Sequence, residues 1–574
     1  MNIFAFYLDR IKNIIIKNDK LLSLSEPLIF KNIQVEIPPE NFDCDLSTNA
    51  PMVLAKINKL NPNKLAMSIK DLLLKEIEDF EKLEIAGPGF LNITLTNLAI
   101  SKFIDTMMEN DKNYGTHGGN KNYNIEFVSA NPTGPMHVGH CRGAIYGDVL
   151  SNLLKFNGNK VVKEYYINDY GKQIENFSRS VFLRLREIKF KEKFVNSKNL
   201  YPGEYIINIA KDIIKIDPNI NLKNFEDISE FISSKSIDAS MALIKNDLNK
   251  LGIQHDNFVS EKKIVKEDLV NKTVNDLKKN NLVEQGYLDP PKGDENKNWV
   301  KSKKLIFKST NFNDDSDRAL QKNDGSWTYF ANDMAYHANK VSRRYDYLIN
   351  VLGADHTGYI KRITAAVNAI SKNKTKLICK VCQLVKLYKN GQPFKMSKRA
   401  GDFISADDLL KEVNKDSIRF MMLNRSNDVE LDFDFDKVVE KNKDNPVFYV
   451  QYCYARINSL FRSLNLKIEN KLINNSSKFM INDFEKKILR KIFYWPKIIE
   501  ISSNKYEPHR IPFYLYELAT LFHSYWSKGN ENEKYKFITN GKINNHNTLI
   551  IIKLVSIVIE NGMKILGVSL PKKM

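Results

Sequence analysis

Apolar and polar positions along the chain change period several times, and each change marks an element. Ile125, Phe127 and Val128 form a short β-prone run. The loop Asn131-Pro132-Thr133-Gly134-Pro135 that follows can neither continue a strand nor start a helix early. From His137 onward the spacing of Ile145, Val149, Leu150, Leu153 and Leu154 predicts a helix, which Asn157 and Gly158 end. A second strand is predicted over Val161 to Tyr166, so residues 121 to about 180 read as the opening of a parallel sheet with a crossover helix. Tyr347 to Gly353, Y-L-I-N-V-L-G, is a further apolar strand, with another helix after it.

The flanks have a different character. Helical patterns at 3–18 and 50–80 precede strand-like K-L-E-I-A and F-L-N-I-T-L on either side of Gly87-Pro88-Gly89, and a Gly-rich hinge follows at 115–120. Residues 181 to about 300 are mixed, polar and helix-rich, with a loop at 289–294, and are expected as an insertion between the two halves of the sheet. After 430 the pattern predicts long helices without strands, carrying apolar stripes and many Lys and Arg. The expectation is a multidomain α/β protein: an N-terminal α+β domain over 1–115, a parallel-sheet domain over 116–430 and an all-α helical bundle over 431–574. Phe448, Tyr449, Tyr452 and Tyr454 could stack bases, but their helical spacing points first to core packing.

Composition adds three constraints. A chain of 574 residues holds about three or four domains, and 43% hydrophobic with 27% charged residues is globular. The net charge of +19, from 87 basic and 68 acidic residues, favours a polyanionic partner, nucleic acid before membrane; a Lys- and Asn-rich coding bias is the alternative. Five cysteines exclude a disulfide scaffold. Cys379 and Cys382 form a C-x-x-C inside an alternating, strand-like run with no second pair, so they read as strand cysteines rather than a zinc or redox site. The apolar runs are too short and interrupted to span a membrane, and the basic N-terminus lacks the apolar core of a secretory signal. Asp9 and scarce Ser argue against an organellar leader, so the cytoplasm is the expected compartment.

The candidate chemistry begins at the first loop. A strand, a Gly/Pro loop and a helix N-terminus form an anion site, because free backbone N–H groups and the helix dipole converge there. His137 and His140, three residues apart, share one face, and Gly139 leaves room for a flat ring to approach the backbone. The arrangement suits a nucleotide whose phosphates meet two imidazoles. A metal pair would want a nearby carboxylate in the motif, and none is present. Far along the chain, Lys395-Met396-Ser397-Lys398 lies between Gly391 and Gly401, where two lysines can clamp a polyphosphate as mobile point charges.

The two elements together resemble the paired signatures of class I aminoacyl-tRNA synthetases. N-I-E-F-V-S-A-N-P-T-G-P-M-H-V-G-H-C-R-G-A-I-Y-G-D resembles the arginyl-tRNA synthetase form of the first. The likeness continues through Tyr166–Gly171, Gly353–His356 and Asn445–Tyr452, and so covers most of the chain. The resemblance implies a Rossmann-like catalytic domain, an N-terminal domain that contacts the tRNA elbow and a helical anticodon-binding domain. It implies arginine, ATP and arginine tRNA as substrates, Mg2+ beside ATP, and activation that requires tRNA; a monomer is expected. By the same resemblance His137, His140, Lys395 and Lys398 are catalytic. Gly139, Gly353, Asp355, Met396 and Ser397 join them around ATP. Glu126, Tyr329 and Asp333 hold the arginine side chain, and Ser129, Asn131 and His356 its α-amino and carboxylate ends. The chemistry of carboxylates facing a guanidinium agrees, since five planar donors need charged acceptors. Asn168, Asp169, Gly171 and Gln173 match a family block without an assignable role.

Overall fold

The computed structural model describes residues 2–25, 27–39, 41–197, 199–288, 302–394, 404–467 and 481–574; the loop expected at 289–294 lies outside them. The chain divides into two compact units, Asn120–Lys155 with Asn159–Glu440, and Met1–Gly119 with Phe156–Gly158 and Lys441–Met574.

The first of these is built on a five-stranded sheet. In chain order its main elements are β1 (Asn122–Glu126), α1 (Val138–Phe156), β2 (Lys160–Ile167), α2 (Lys172–Phe190), α3 (Ser229–Lys250), β3 (Asn257–Ser260), α4 (Tyr329–Ser342), β4 (Tyr347–Gly353), α5 (Ile360–Ser371) and β5 (Lys376–Cys382). The strand order is β5-β4-β1-β2-β3, with every pair parallel. The largely apolar run of β4 and the buried centre of β1, Tyr123 to Ile125, are what a parallel sheet covered by helices requires. Helix α1 buries the predicted stripe Ile145, Val149, Leu150, Leu153 and Leu154. It lies so close to the end of β1 that a Cβ on Gly147 would come within 2.3 Å of the Phe127 ring.

Chain order reverses at β1. From there the chain builds outward through β2 and β3, then returns to place β4 on the other side of β1. Ligands in such sheets bind beyond the carboxyl ends of the strands at this switch point. Those ends are Glu126 on β1 and Gly353 on β4.

Three expectations need correction. The stretch 181–300 is more than an insertion, because Asn257–Ser260 is the edge strand β3, paired with Glu164–Ile167. Four residues are too few for a period to register. The helical pattern at 50–80 is two helices, Ala50–Asn58 and Pro62–Glu76, parted where Lys59 turns to φ 55° and Pro62 starts the next helix. Strands also occur beyond 430. Leu431–Asp434 pairs in parallel with Val385–Lys389, and Ile538–Thr539 and Lys542–Ile543 form a small hairpin across Asn540-Gly541.

The second unit combines a four-stranded antiparallel sheet, ordered Val35–Glu36, Leu46–Thr48, Phe90–Leu95, Phe80–Ala86, with the helices Pro446–Ser463, Asp483–Lys505, Arg510–Glu531 and His546–Leu566. The indole of the buried Trp495 donates to the Tyr114 carbonyl at 2.9 Å, and Arg490 pairs with Asp43 and Asp45 at 2.9 and 3.0 Å. Of the four aromatics at the start of Pro446–Ser463, Tyr454 is buried. Phe448 and Tyr452 stack on each other, Tyr452 stacks on His523, Tyr449 is tilted against His523 at 4.3 Å, and the Arg456 guanidinium lies 4.4 Å from the centre of the Tyr452 ring.

Candidate active site

The chain leaves β1 by a strained turn. Val128 and Ser129 have φ of 70° and 40°, a left-handed pair with no glycine in it. A β-branched residue there is an outlier, and each such residue costs on the order of 1–3 kcal/mol. The turn aims the Ser129 hydroxyl between two elements. It accepts from the Tyr166 N–H at 3.0 Å and donates to Glu126 Oε1 at 3.0 Å. Asn131 is held on both sides of its amide, donating to Gln173 Oε1 at 3.0 Å and accepting from Asn168 at 3.1 Å. Asp169 accepts from the Ser260 hydroxyl at 2.6 Å and the Lys262 N–H at 2.8 Å. Within the block that the sequence left without roles, Asn168 and Gln173 thus orient a loop residue, and Asp169 fastens the lead-in of α2 to the end of β3.

Helix α1 starts at Val138, so His137 stands just before it rather than in its first turn. Backbone bonds tie this entry to 404–406: Val138 N to Ile404 O at 2.9 Å, and Ala406 N to Met136 O at 2.8 Å. The His137 and His140 rings stack with centroids 3.6 Å apart. A Cβ on Gly139 would fall 2.9 Å from two atoms of the His137 ring, so the flat ring that this glycine admits is His137's own. The backbone N–H of His137 donates to His140 Nδ1 at 3.3 Å, which leaves the neutral ring's proton on Nε2. Burial depresses both imidazoles, His140 to about 3 with His137 adding to the effect. Both are therefore neutral hydrogen-bonding groups at neutral pH. Lys395, Met396, Ser397 and Lys398 lie outside the described residues.

At the switch point, Glu126 is in register with Glu164 on β2 and Asn350 on β4. Two carboxylates side by side need cations. Helix α4 supplies them: Lys340, wholly buried, pairs with Glu126, and Arg343 with Glu164. The Tyr336 hydroxyl lies 3.0 Å from Glu126 Oε2 and 2.9 Å from Glu164 Oε1. Burial alone would raise Glu164, but Arg343, Lys340 and Asn257 bring its carboxyl down to about 2. None of Tyr336, Lys340, Arg343 and Glu164 was singled out from the sequence. The signal for three of them was present, since Tyr336, Lys340 and Arg343 recur at i, i+4 and i+7 and so share one helical face.

Asp333, on the same helix, is half-buried with its Oδ1 3.0 Å from His337 Nδ1. Burial would raise it, yet His337 and Tyr359 hold it below the usual carboxylate range. Asp333 and Glu126 act on the same groups. Burial first, then Glu261, Asp333 and Glu126, raise the Tyr166 phenol, and burial with the same pair pushes the Cys379 thiol up to about 12. Tyr329, one turn before Asp333, is 73% exposed, with the Lys322 ammonium 5.7 Å from its ring. Gly353 ends β4; Asp355 and His356 follow it, exposed and 3.4 Å apart. The structure thus brings Glu126, Ser129 and Asp333 to one place, sets the histidine pair at the far end of the same loop, and leaves Tyr329 and His356 open to solvent. Among the described residues no three His, Cys, Asp or Glu side chains gather as metal ligands.

Comparison with known proteins identifies the family. The family model for the class I (R) tRNA synthetase catalytic domain matches residues 103–461, that for the arginyl tRNA synthetase N-terminal domain 9–95, and that for the DALR anticodon binding domain 450–574. The chain is 54% identical to the arginine–tRNA ligase of Pelagibacter ubique and 45% identical to that of Bartonella bacilliformis, over the whole of both chains in each case. The Thermus thermophilus arginyl-tRNA synthetase structure superposes with a TM-score of 0.71 at 18% identity, covering 98% of this chain and 99% of that one, which shows the shared fold. With three matching domains in the same order and full-length relatives, the chain belongs to the arginyl-tRNA synthetases, enzymes of the class I aminoacyl-tRNA synthetase group.

Proposed function

We infer that the chain is an arginine–tRNA ligase. An arginine carboxylate oxygen attacks the α-phosphorus of ATP, the bond to pyrophosphate breaks, and arginyl-adenylate forms. A ribose hydroxyl at the 3′ end of the tRNA then attacks the arginyl carbonyl, gives up its proton, and AMP leaves. The observation that carries the reading is that Glu126, at the carboxyl end of β1, and Asp333, on α4, both act on Tyr166 and Cys379, while the loop that leaves β1 carries the stacked histidines at its far end. Carboxylates there suit a guanidinium, and neutral imidazole N–H groups suit phosphate oxygens.

In this reading His137 and His140 donate to the α-phosphate, and Lys395 and Lys398 hold the departing pyrophosphate. Gly139, Gly353, Asp355, Met396 and Ser397 border ATP. Glu126, Asp333 and Tyr329 take the side chain of arginine; Ser129, Asn131 and His356 take its other end. Residues 1–115 meet the tRNA elbow and 431–574 its anticodon. Mg2+ enters with ATP, and the enzyme works as a cytoplasmic monomer. Among the described residues no helix is long and apolar enough to cross a membrane.

The test is arginine transfer to tRNA alongside arginine-dependent pyrophosphate exchange, with and without tRNA. Transfer is expected, with exchange negligible until tRNA is added. Absence of transfer overturns the reading; exchange by the protein alone removes only the tRNA requirement.

A further inference from the structure

The reaction leaves Lys340 unused, although its ammonium is wholly buried beside the proposed pocket. Its partners define it. Nζ pairs with Glu126 Oε2, donates to Asn350 Oδ1 at 3.0 Å and lies 4.5 Å from the centre of the Tyr336 ring. An ammonium can only donate. The Asn350 amide must therefore turn its oxygen toward Lys340, and its NH2 then faces His337 Nε2 at 2.9 Å. That nitrogen must accept, so the proton of His337 sits on Nδ1. Nδ1 lies 3.0 Å from Asp333 Oδ1 and 2.9 Å from the Asp333 carbonyl. One ammonium thus touches one carboxylate and, through two side chains, aims an N–H at the other.

We propose that Lys340 is a positioning residue that tunes the pocket for a guanidinium and against an ammonium; the proposal rests on the reading of Glu126 and Asp333 as the arginine carboxylates. Two bare carboxylates would attract any monocation, lysine included. Lys340 cuts the negative charge by one and occupies Glu126 Oε2, while His337 occupies acceptor capacity on Asp333. Acceptor lone pairs remain on both carboxylates. A planar fork of five donors can reach them with its charge delocalised. A compact, strongly hydrated ammonium would instead have to settle beside a like charge.

Lys340→Met removes the charge and keeps most of the volume. Arginine and lysine affinities of the full-length chain are measured by calorimetry, together with the Michaelis constants for arginine and ATP and the 15N spectrum of labelled histidines. The arginine-to-lysine affinity ratio is expected to fall about tenfold or more. The ATP constant should stay within about twofold. Asn350→Asp keeps the Lys340–Glu126 pair but presents an acceptor to His337 Nε2. It should doubly protonate His337 and raise the arginine constant, and it carries the test if Lys340→Met does not fold. An unchanged ratio in folded Lys340→Met, or an unmoved His337 signal in Asn350→Asp, overturns the proposal. Asp333→Asn separates the two levels. If it leaves the arginine constant unchanged, the pocket reading fails and this proposal with it. If it raises that constant while Lys340→Met leaves the ratio intact, this proposal alone fails.

Discussion

His137 donates its backbone N–H to Nδ1 of His140, 3.3 Å away, while the two rings stack face to face. The contact puts the proton of neutral His140 on Nε2, the donor that the proposed function turns toward ATP. Glutamine can place an amide N–H where Nε2 stands, whereas asparagine reaches only the Nδ1 position. His140→Gln should therefore keep the aminoacylation rate within about tenfold, and His140→Asn should lose ~10²-fold or more. Equal losses, or the reverse order, would reject the tautomer.

Gly139 supports the same geometry. A methyl group there would stand 2.9 Å from the His137 ring, so that side chain must shift to make room. Gly139→Ala should leave the unfolding midpoint nearly unchanged, since alanine favours the helix start, and lower kcat about tenfold or more as His137 leaves its place. A stable variant with full activity would remove the stacked pair from the mechanism.

Glu126 is an arginine ligand in the proposed function and an ion-pair partner in the structure. Glu126→Gln keeps an oxygen for Lys340 but removes the charge and sets an amide donor against the guanidinium. The arginine Michaelis constant should rise about ten- to hundredfold with that for ATP little changed. Stability should fall by about 1–3 kcal/mol, because a buried ammonium loses its counter-charge. Steady-state kinetics with each substrate varied, and a denaturation curve, check both halves. An equal rise in both Michaelis constants would make Glu126 purely structural.

Asp247 on α3 accepts from the Met136 N–H at 3.2 Å, just ahead of the histidines. Burial raises its carboxyl to about 6, with the Met136 N–H opposing and Asp407 adding. In an unfolded chain an aspartate titrates near 4. Between those values the folded state holds the extra proton, so this group's contribution is complete below about pH 4 and is lost as pH rises through about 6. Asp247→Asn keeps an acceptor for Met136 and removes the titration. The variant should gain stability over the parent as pH rises from about 4 to 6, by at most about 3 kcal/mol. Denaturation midpoints across that range test it; parallel curves would show an ordinary carboxyl.

Local spacing made part of this site legible. His137, Gly139 and His140 are close in sequence, and Glu126 stands out as a charge on a buried strand, so reading along the chain finds them. The cations that neutralise the strand carboxylates could not be paired in the same way. Lys340 is 214 residues from Glu126, and Arg343 is 179 from Glu164. Only the sheet order makes them neighbours. The left-handed turn at Val128 and Ser129 left no trace either, because nothing in V-S distinguishes it from more strand. Strand β3 escaped for the opposite reason: its four residues are too few to show a period.

The unit that joins residues 1–119 to 441–574 has a consequence for biosynthesis. Its first part leaves the ribosome about 320 residues before the helices that complete it, a delay of roughly 15–60 s at ordinary elongation rates. Over that interval the carbonyl of Tyr114 has no Trp495 indole to accept from, and Asp43 and Asp45 have no Arg490. The parallel-sheet unit, whose own residues all lie between, can finish folding in the meantime. The contacts that close this unit therefore form last, once residues 441–574 have been made.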